Sequence, residues 1–253
     1  MKKTITLSLL FLLSLAAMAQ CPMKNQAFGD NEKLEYNLYF NWQFVWVKVG
    51  TAKMQTKAVT YRNRPCYQSS LTTHTSPRAD KFFRMRDTLM VYATRDLVPL
   101  YYKKVAREGK RYYVDEVAYS YPNGKCGVSI RNRHNDGSVT KQQHVYDHCV
   151  YDMLNIFLCA RNYDATGWKK GHTVNIDIAG GSELTRAKLV YRGKDTVKAD
   201  NKKKYNCLVL SYIEKDGDKD KEIVRFYVTD DKAHIPVRLD LSLKFGSAKA
   251  FLV

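Results

Sequence analysis

Apolar and polar residues alternate with a period of two over most of this chain, the pattern of strands that bury one face. Between Leu34 and Phe40 the sorting is clean, with Leu34, Tyr36, Leu38 and Phe40 on one side. Comparable segments follow at 44–60, 67–74, 86–93, 99–107, 112–121, 127–133, 174–178, 183–192, 194–199, 205–214, 222–229, 237–245 and 247–252. Turn signals separate them, among them Arg62-Asn63-Arg64-Pro65, Pro122-Asn123-Gly124, Asn135-Asp136-Gly137 and Asp216-Gly217-Asp218. Strands joined by short turns pair antiparallel, so the expected topology is a meander. One segment departs from the pattern. From Asp147 to Asn162 the apolar residues Val150, Met153, Leu154, Phe157 and Leu158 fall at helical spacing, with Asp147 placed to cap the first turn. A shorter helical turn is expected over 77–83, where Pro77 suits the first position. The pattern predicts a mainly β fold, a curled half-barrel or barrel-like meander of about 11–13 strands with one long helix packed on or in it.

The first residues belong to a different kind of segment. Lys2-Lys3, an apolar run from Leu7 to Leu15 and Ala17-Met18-Ala19 are the charged, apolar and small-residue parts of a cleaved export signal. Residues 1–19 are accordingly assigned to a signal peptide and 20–253 to a single β-rich domain. The apolar run is too short to span a bilayer, and no later stretch reaches spanning length. Cys21 stands where a lipid anchor could attach, but Gln20 occupies the position that lipoprotein processing reserves for a small residue. Plain secretion to the periplasm or outer envelope is the expectation.

Composition narrows the class. With 253 residues, 45% of them hydrophobic, the chain can bury a substantial core, which excludes a disordered chain and a collagen-like repeat. Export places all six cysteines, Cys21, Cys66, Cys126, Cys149, Cys159 and Cys207, where disulfides can form. Their spacing is irregular and contains no C-x-x-C, so it supports neither a tetrahedral metal site nor a thioredoxin-like motif and leaves the pairing open. The 42 Lys+Arg against 25 Asp+Glu give a net charge of +17, which becomes +15 once Lys2 and Lys3 are removed. That excess is spread over turns and polar strand faces. For an exported protein it points to anionic lipid or surface polysaccharide rather than nucleic acid.

Among residues that could carry chemistry, an aromatic stripe stands out. Phe40, Trp42, Phe44 and Trp46 occupy every second position, so a continuous strand would project all four rings from one face. A turn near 41–43 would break it. With Met153 and Phe157 of the helix, these four are the candidate ligand-lining residues. His144 and His148 are four apart beside Asp147, Cys149 and Asp152, but the sequence is not H-E-x-x-H, and a helix cap on a solvated surface is the better account. Asp216 to Glu222 imitates a calcium loop without its glycine and glutamate, and reads as a charged hairpin turn. Ser138-Val139-Thr140-Lys141 has S-x-x-K spacing without the companion motifs. No catalytic residue, metal site or cofactor is assigned.

In order along the chain, Gly29-x-x-Glu32-x-Leu34-x-Tyr36, Val49-Gly50-Thr51-Ala52, Phe82-Phe83-x-x-Arg86-Asp87, Leu97-x-Pro99, Tyr151-Asp152-x-Leu154, Trp168-x-x-Gly171 and Ile235-Pro236-Val237 make the chain similar to an exported bacterial family catalogued as domain of unknown function 3108. The resemblance covers nearly all of 20–253 and implies no catalytic residues, since that family has no agreed activity. More distantly, a curled sheet with a helix resembles the outer-membrane lipoprotein carriers, whose unclosed half-barrels hold acyl chains. Together these readings lead to the expectation of a non-enzymatic envelope protein that binds an apolar or amphipathic ligand in the concave face of its sheet. The alternative is an interaction module for anionic envelope polymers, lipopolysaccharide or surface glycan.

Overall fold

The computed structural model describes residues 21–42, 45–181, 183–243 and 246–253. The expected signal peptide lies outside them. The described strands are β1 (Asn31–Trp42), β2 (Val45–Tyr61), β3 (Arg64–Thr75), β4 (Met85–Thr94), β5 (Pro99–Glu108), β6 (Arg111–Ser120), β7 (Cys126–Arg133) and β8 (Val139–Tyr146). Helix α1 (Met153–Ala160) follows, and then β9 (Thr173–Gly180), β10 (Glu183–Lys198), β11 (Lys204–Asp216), β12 (Lys219–Thr229), β13 (Pro236–Leu243) and β14 (Gly246–Leu252).

All fourteen strands form one antiparallel sheet in the order β8-β7-β6-β5-β4-β3-β2-β1-β14-β13-β12-β11-β10-β9. Two meanders are thus joined where the first strand pairs with the last, Tyr36 opposite Leu252 and Leu38 opposite Ala250. The consecutive strands β8 and β9 stand at opposite ends of this order, and α1 lies on the connection between them. The sheet curls until β9 comes within reach of β6 and β7. The Asn132 side-chain amide of β7 donates to the Gly181 carbonyl just beyond β9, and Tyr151 forms a single parallel bridge with Ile178. No ladder joins β8 to β9 among the described residues, so the sheet is barrel-like without closing.

The sequence pattern and the structure differ in four places, each with a physical cause. β8 carries no apolar alternation because it is an edge strand. Six of its eight residues are exposed, and Lys141 sits on it as edge charges commonly do. Segments 183–192 and 194–199 are one strand running through a bulge between Tyr191 and Gly193, where φ at Gly193 is +107°. The helix is eight residues rather than sixteen, and its cap is Asp152, whose Oδ1 accepts from Leu154 N (3.1 Å) and Asn155 N (2.8 Å). Asp147, the cap expected from the sequence, is exposed and bonds His148 instead. The segment after Pro77 forms only one short 3-10 turn at Ala79–Lys81.

Strand direction places the turns after β2, β4, β6, β10 and β12 at one end of the molecule, called lower here, and those after β1, β3, β5, β7, β9, β11 and β13 at the upper end. The lower end is closed. Residues 21–30 run across it, with Ala27 and Phe28 buried, and α1 contacts β3, β4 and β9 from inside the curl. Arg161, at the C-terminal end of α1, holds these parts together. It is 2% exposed, forms a double hydrogen bond to Glu32 of β1 (2.6 and 2.9 Å), donates to the carbonyls of Ala27 and Ala233, and lies over the Phe28 ring. His234 Nδ1 lies 2.7 Å from the Arg161 carbonyl. A disulfide between Cys21 and Cys149, separated by 128 positions, ties the start of the described chain to the approach to α1. The other four cysteines are free and buried as small hydrophobes.

Removing one member of a buried ion pair leaves the other charge uncompensated. Arg161→Met is therefore expected to lower the unfolding free energy by about 3–5 kcal/mol in urea titrations, and a loss under about 1 kcal/mol would show that Arg161 is not the fastening described. Independently, the denatured, unreduced protein is expected to titrate four thiols and the reduced protein six. Six thiols before reduction would rule out the Cys21–Cys149 link.

Candidate functional site

Pairing registers show what faces the inside of the curl. From β2 to β7 the residues Met54, Leu71, Leu89, Lys104, Asp115 and Asn132 stand opposite one another in a row across the sheet. The row turns from apolar to charged at β5. On the other side, Phe40, Ala248, Leu241, Val224, Tyr212 and Leu189 form a second row running from β1 through β14 to β10. The next row down contains Leu38, Leu239 and Phe226.

The lower part of this interior is filled by Leu154, Ile156 and Leu158 of α1, all buried. The upper part is not filled. Leu38, Phe40, Leu71, Leu89, Val224, Phe226, Leu239 and Leu241 point inward, yet each is only half-buried. The exposed side of α1 forms the floor of this space. Met153 is 42% exposed, and the half-buried Phe157 ring lies 5.8 Å from that of Phe226. α1 is therefore apolar on nearly every side, with one side in the core and one toward the opening. Met153, Leu89, Tyr102, Lys104, Asp115 and Glu214 border a cleft of about 230 Å³ at this level. A slightly larger hollow of about 270 Å³ lies near Tyr101, Glu116 and Arg131, where the polar groups already satisfy one another through Tyr101 Oη to Glu116 and Arg131 to Glu116 bonds. The inner chamber has the less satisfied chemistry.

Across the chamber from its apolar wall, β4, β5 and β6 present ionisable groups on the inner face. Lys104 Nζ donates to Tyr113 Oη at 2.7 Å, and Tyr113 Oη donates to Glu108 Oε1 at 2.9 Å. Burial pushes the Asp87 carboxyl up to about 6, assisted by the charge of Glu108, although its Oδ1 accepts the Arg107 backbone N–H. Burial also raises the pKa of Asp115. Burial opposes ionisation of Glu108 too, but the Lys104 charge and hydrogen bonds from Tyr113 and Lys104 outweigh it, and its pKa is lowered. One positive and several negative groups thus share a wall that is partly withdrawn from water.

Asp152 lies deeper, at the head of α1. It is fully buried, and burial pushes its carboxyl up to about 7 despite the two backbone N–H bonds. The hydroxyl of the neighbouring Tyr119 acts on the same carboxyl as a weak donor that, like the backbone bonds, opposes the rise, and neither it nor Oδ2 has another partner among the described residues. The carboxyl is a cap whose second oxygen has only Tyr119 beside it.

The aromatic stripe is split by the hairpin between β1 and β2. Trp46 stands opposite Asn41, one register position out of step with Phe40, and so belongs to the outer face. There its ring lies 4.2 Å from Lys249 Nζ, whose residue stands opposite Tyr39. Phe40 remains on the inner row and Trp42 pairs with Val45 at the strand end. Phe44 lies outside the described residues. Met153 and Phe157 join Phe40 in bordering the chamber. His144 lies in β8 opposite Val128, and His148 bonds Asp147 and Asp177 beyond any helix. The Asp216–Glu222 segment is the β11–β12 hairpin, with Lys221 paired to Asp216. The ionisable wall was missed by the sequence reading. Its signal was the appearance of Asp87, Lys104 and Asp115 on the same strand parity as buried Val91, Tyr102 and Val117.

An unclosed curled sheet, plugged at one end by its own helix and open at the other onto a chamber with one apolar and one ionisable wall, defines a barrel-like architecture. The chain belongs to the family described as Protein of unknown function (DUF3108), whose model matches residues 35–253. It is also similar to a crystal structure of a beta-barrel-like protein of domain of unknown function DUF1849 from Brucella abortus. The identity is 12%, the TM-score is 0.54, and the match covers 88% of this chain and 95% of that one. At that identity the likeness concerns the fold alone. No curated protein matches the chain.

Folding raises the pKa of Asp152 from 3.8 to about 7, so the native state holds a proton that the unfolded chain releases in between. Stability is therefore expected to fall as pH rises through that window and to level off above it. Asp152→Asn keeps the cap acceptor and removes the titration, and should flatten much of the decline, leaving a smaller slope from Asp87. Urea midpoints measured across the window test this, and an unchanged slope in the variant would assign the pH dependence elsewhere.

Proposed function

We propose that this protein is an exported, non-enzymatic envelope component that binds an amphipathic small molecule or lipid in the upper chamber. The observation that carries the proposal is the meeting of apolar Leu89 and Met153 with Lys104, Asp115 and Glu214 around one cleft, with half-buried Leu38, Leu239 and Phe226 on the inner face of the other strands. An apolar chain would lie against the apolar wall and the floor formed by Met153 and Phe157. A polar head would meet the ionisable wall. A cleft of about 230 Å³ is smaller than typical small-molecule sites, which span roughly 300–1,000 Å³, so it would hold only part of a slender occupant that extends upward toward the opening. The Cys21–Cys149 disulfide supports export, because such bonds persist in oxidising compartments. It also engages the sulfur that a lipid anchor at Cys21 would need.

A fluorescent fatty acid that brightens in apolar surroundings provides the test, alongside lipid extraction of the purified protein. Saturable uptake by the wild-type protein is expected. Met153→Asp should weaken it by about tenfold or more, the order expected for losing one buried apolar side chain, without lowering the melting temperature. Absence of uptake by the wild type, or equal uptake by Met153→Asp, would reject the chamber as the binding site.

A further inference from the structure

The opening of the chamber carries a feature that ligand binding alone does not require. Between β3 and β4, at the upper end, Phe82 is 83% exposed and Phe83 is 52% exposed. Adjacent exposed aromatic rings at the tip of a loop are costly in water and unusual unless something covers them. Loose chain does not account for this exposure. Asp80 accepts from Arg86 Nη2 (2.5 Å), from Arg86 Nη1 (3.1 Å) and from the Thr75 hydroxyl (2.5 Å), and these bonds hold its carboxyl below the usual range. The backbone N–H groups of Phe82 and Phe83 both bond the Ala79 carbonyl at 2.9 Å. The Phe83 ring lies so close to Gly109 of the β5–β6 turn that a Cβ there would meet it at 3.2 Å. The two rings are presented by a fixed turn.

Charge around the rings is mostly positive. From Ser76 to Arg86 the cations are Arg78, Lys81, Arg84 and Arg86, against Asp80 alone. The neighbouring β5–β6 turn adds Lys110 and Arg111, both exposed, beside the half-buried Glu108 opposite Met85. The acidic hairpin at Asp216–Asp220 is far from this loop in the sheet order, so the basic character is local to the Phe82–Phe83 side of the opening.

We infer that this loop is a docking element for the surface of an anionic phospholipid bilayer, with the Phe82 and Phe83 rings seated in the interface and the surrounding Lys and Arg side chains against the headgroups. Apolar insertion and headgroup attraction are the two terms that hold peripheral proteins at membranes, each lysine or arginine near the surface adding about 1 kcal/mol. Docking by this loop brings the opening of the chamber to the lipid. The inference does not depend on the ligand assignment, because the loop lies outside the chamber.

Co-sedimentation with phosphatidylethanolamine vesicles, with and without phosphatidylglycerol, tests it. Binding is expected only when phosphatidylglycerol is present and should weaken as salt rises. Replacing both rings, Phe82→Ser with Phe83→Ser, should weaken binding by about tenfold or more while leaving the melting temperature and fatty-acid uptake unchanged. Failure of the wild type to bind anionic vesicles would overturn the inference. Binding that survives loss of both rings but disappears with salt would also overturn it, and would reduce the attraction to the general basic charge of the chain. If fatty-acid uptake fails while vesicle binding behaves as expected, the docking inference stands and the chamber assignment falls.

Discussion

A ladder between β1 and β14 joins the two ends of the folded chain in the middle of the sheet, and most of the architecture follows from it. In a simple meander the first and last strands would be the free edges. Here they pair, so the free edges are β8 and β9, which are neighbours in sequence and far apart in sheet order. The connection between them must cross the open seam of the curl, and α1 lies on that connection. A helix so placed can bury its Leu154, Ile156 and Leu158 side only by entering the concavity, where it fills the lower half. Arg161 then fixes its far end to β1, to the N-terminal segment and to the turn before β13. The pairing of the termini, the plug and the open chamber are one arrangement.

The interior that results is divided in a way unusual for a β-fold core. Its lower part is apolar and closed. Its upper part sets half-buried aliphatic and aromatic residues against a wall containing Asp87, Lys104, Glu108 and Asp115. Charged groups on an inner face are costly unless hydrogen-bonded, and these are only partly satisfied by one another. The raised pKa of Asp87 and Asp115 is the physical trace of that cost. A space in which apolar surface and ionisable groups both remain incompletely buried is suited to an amphipathic occupant, and the Phe82–Phe83 loop stands at its edge.

Much of this was legible in the sequence, and the exceptions have a common cause. Alternation located every strand with a buried face, and the order of motifs from Gly29 to Val237 indicated the family. β8 was invisible because an edge strand solvated on both faces has no pattern. The stripe at Phe40, Trp42, Phe44 and Trp46 misled because the period of two continues across a hairpin in sequence but not in space, which sends Trp46 to the outer face beside Lys249. The helix cap was misplaced because Asp147 and Asp152 are equivalent candidates locally. Only burial and the two backbone N–H groups above Asp152 distinguish them.

The sequence by itself determined the class of fold, because hydrophobic periodicity is a local property and each strand must bury its own apolar face. It also determined the basic surface and the cysteines available for pairing. Tertiary structure alone decided which strands became edges, which cysteines met, and which of the inward-facing residues the helix left uncovered. Those outcomes depend on contacts between residues more than a hundred positions apart, such as Arg161 with Glu32 and Cys21 with Cys149. No local pattern encodes a distance of that kind. The chamber exists because an eight-residue helix is too short to fill a fourteen-stranded curl.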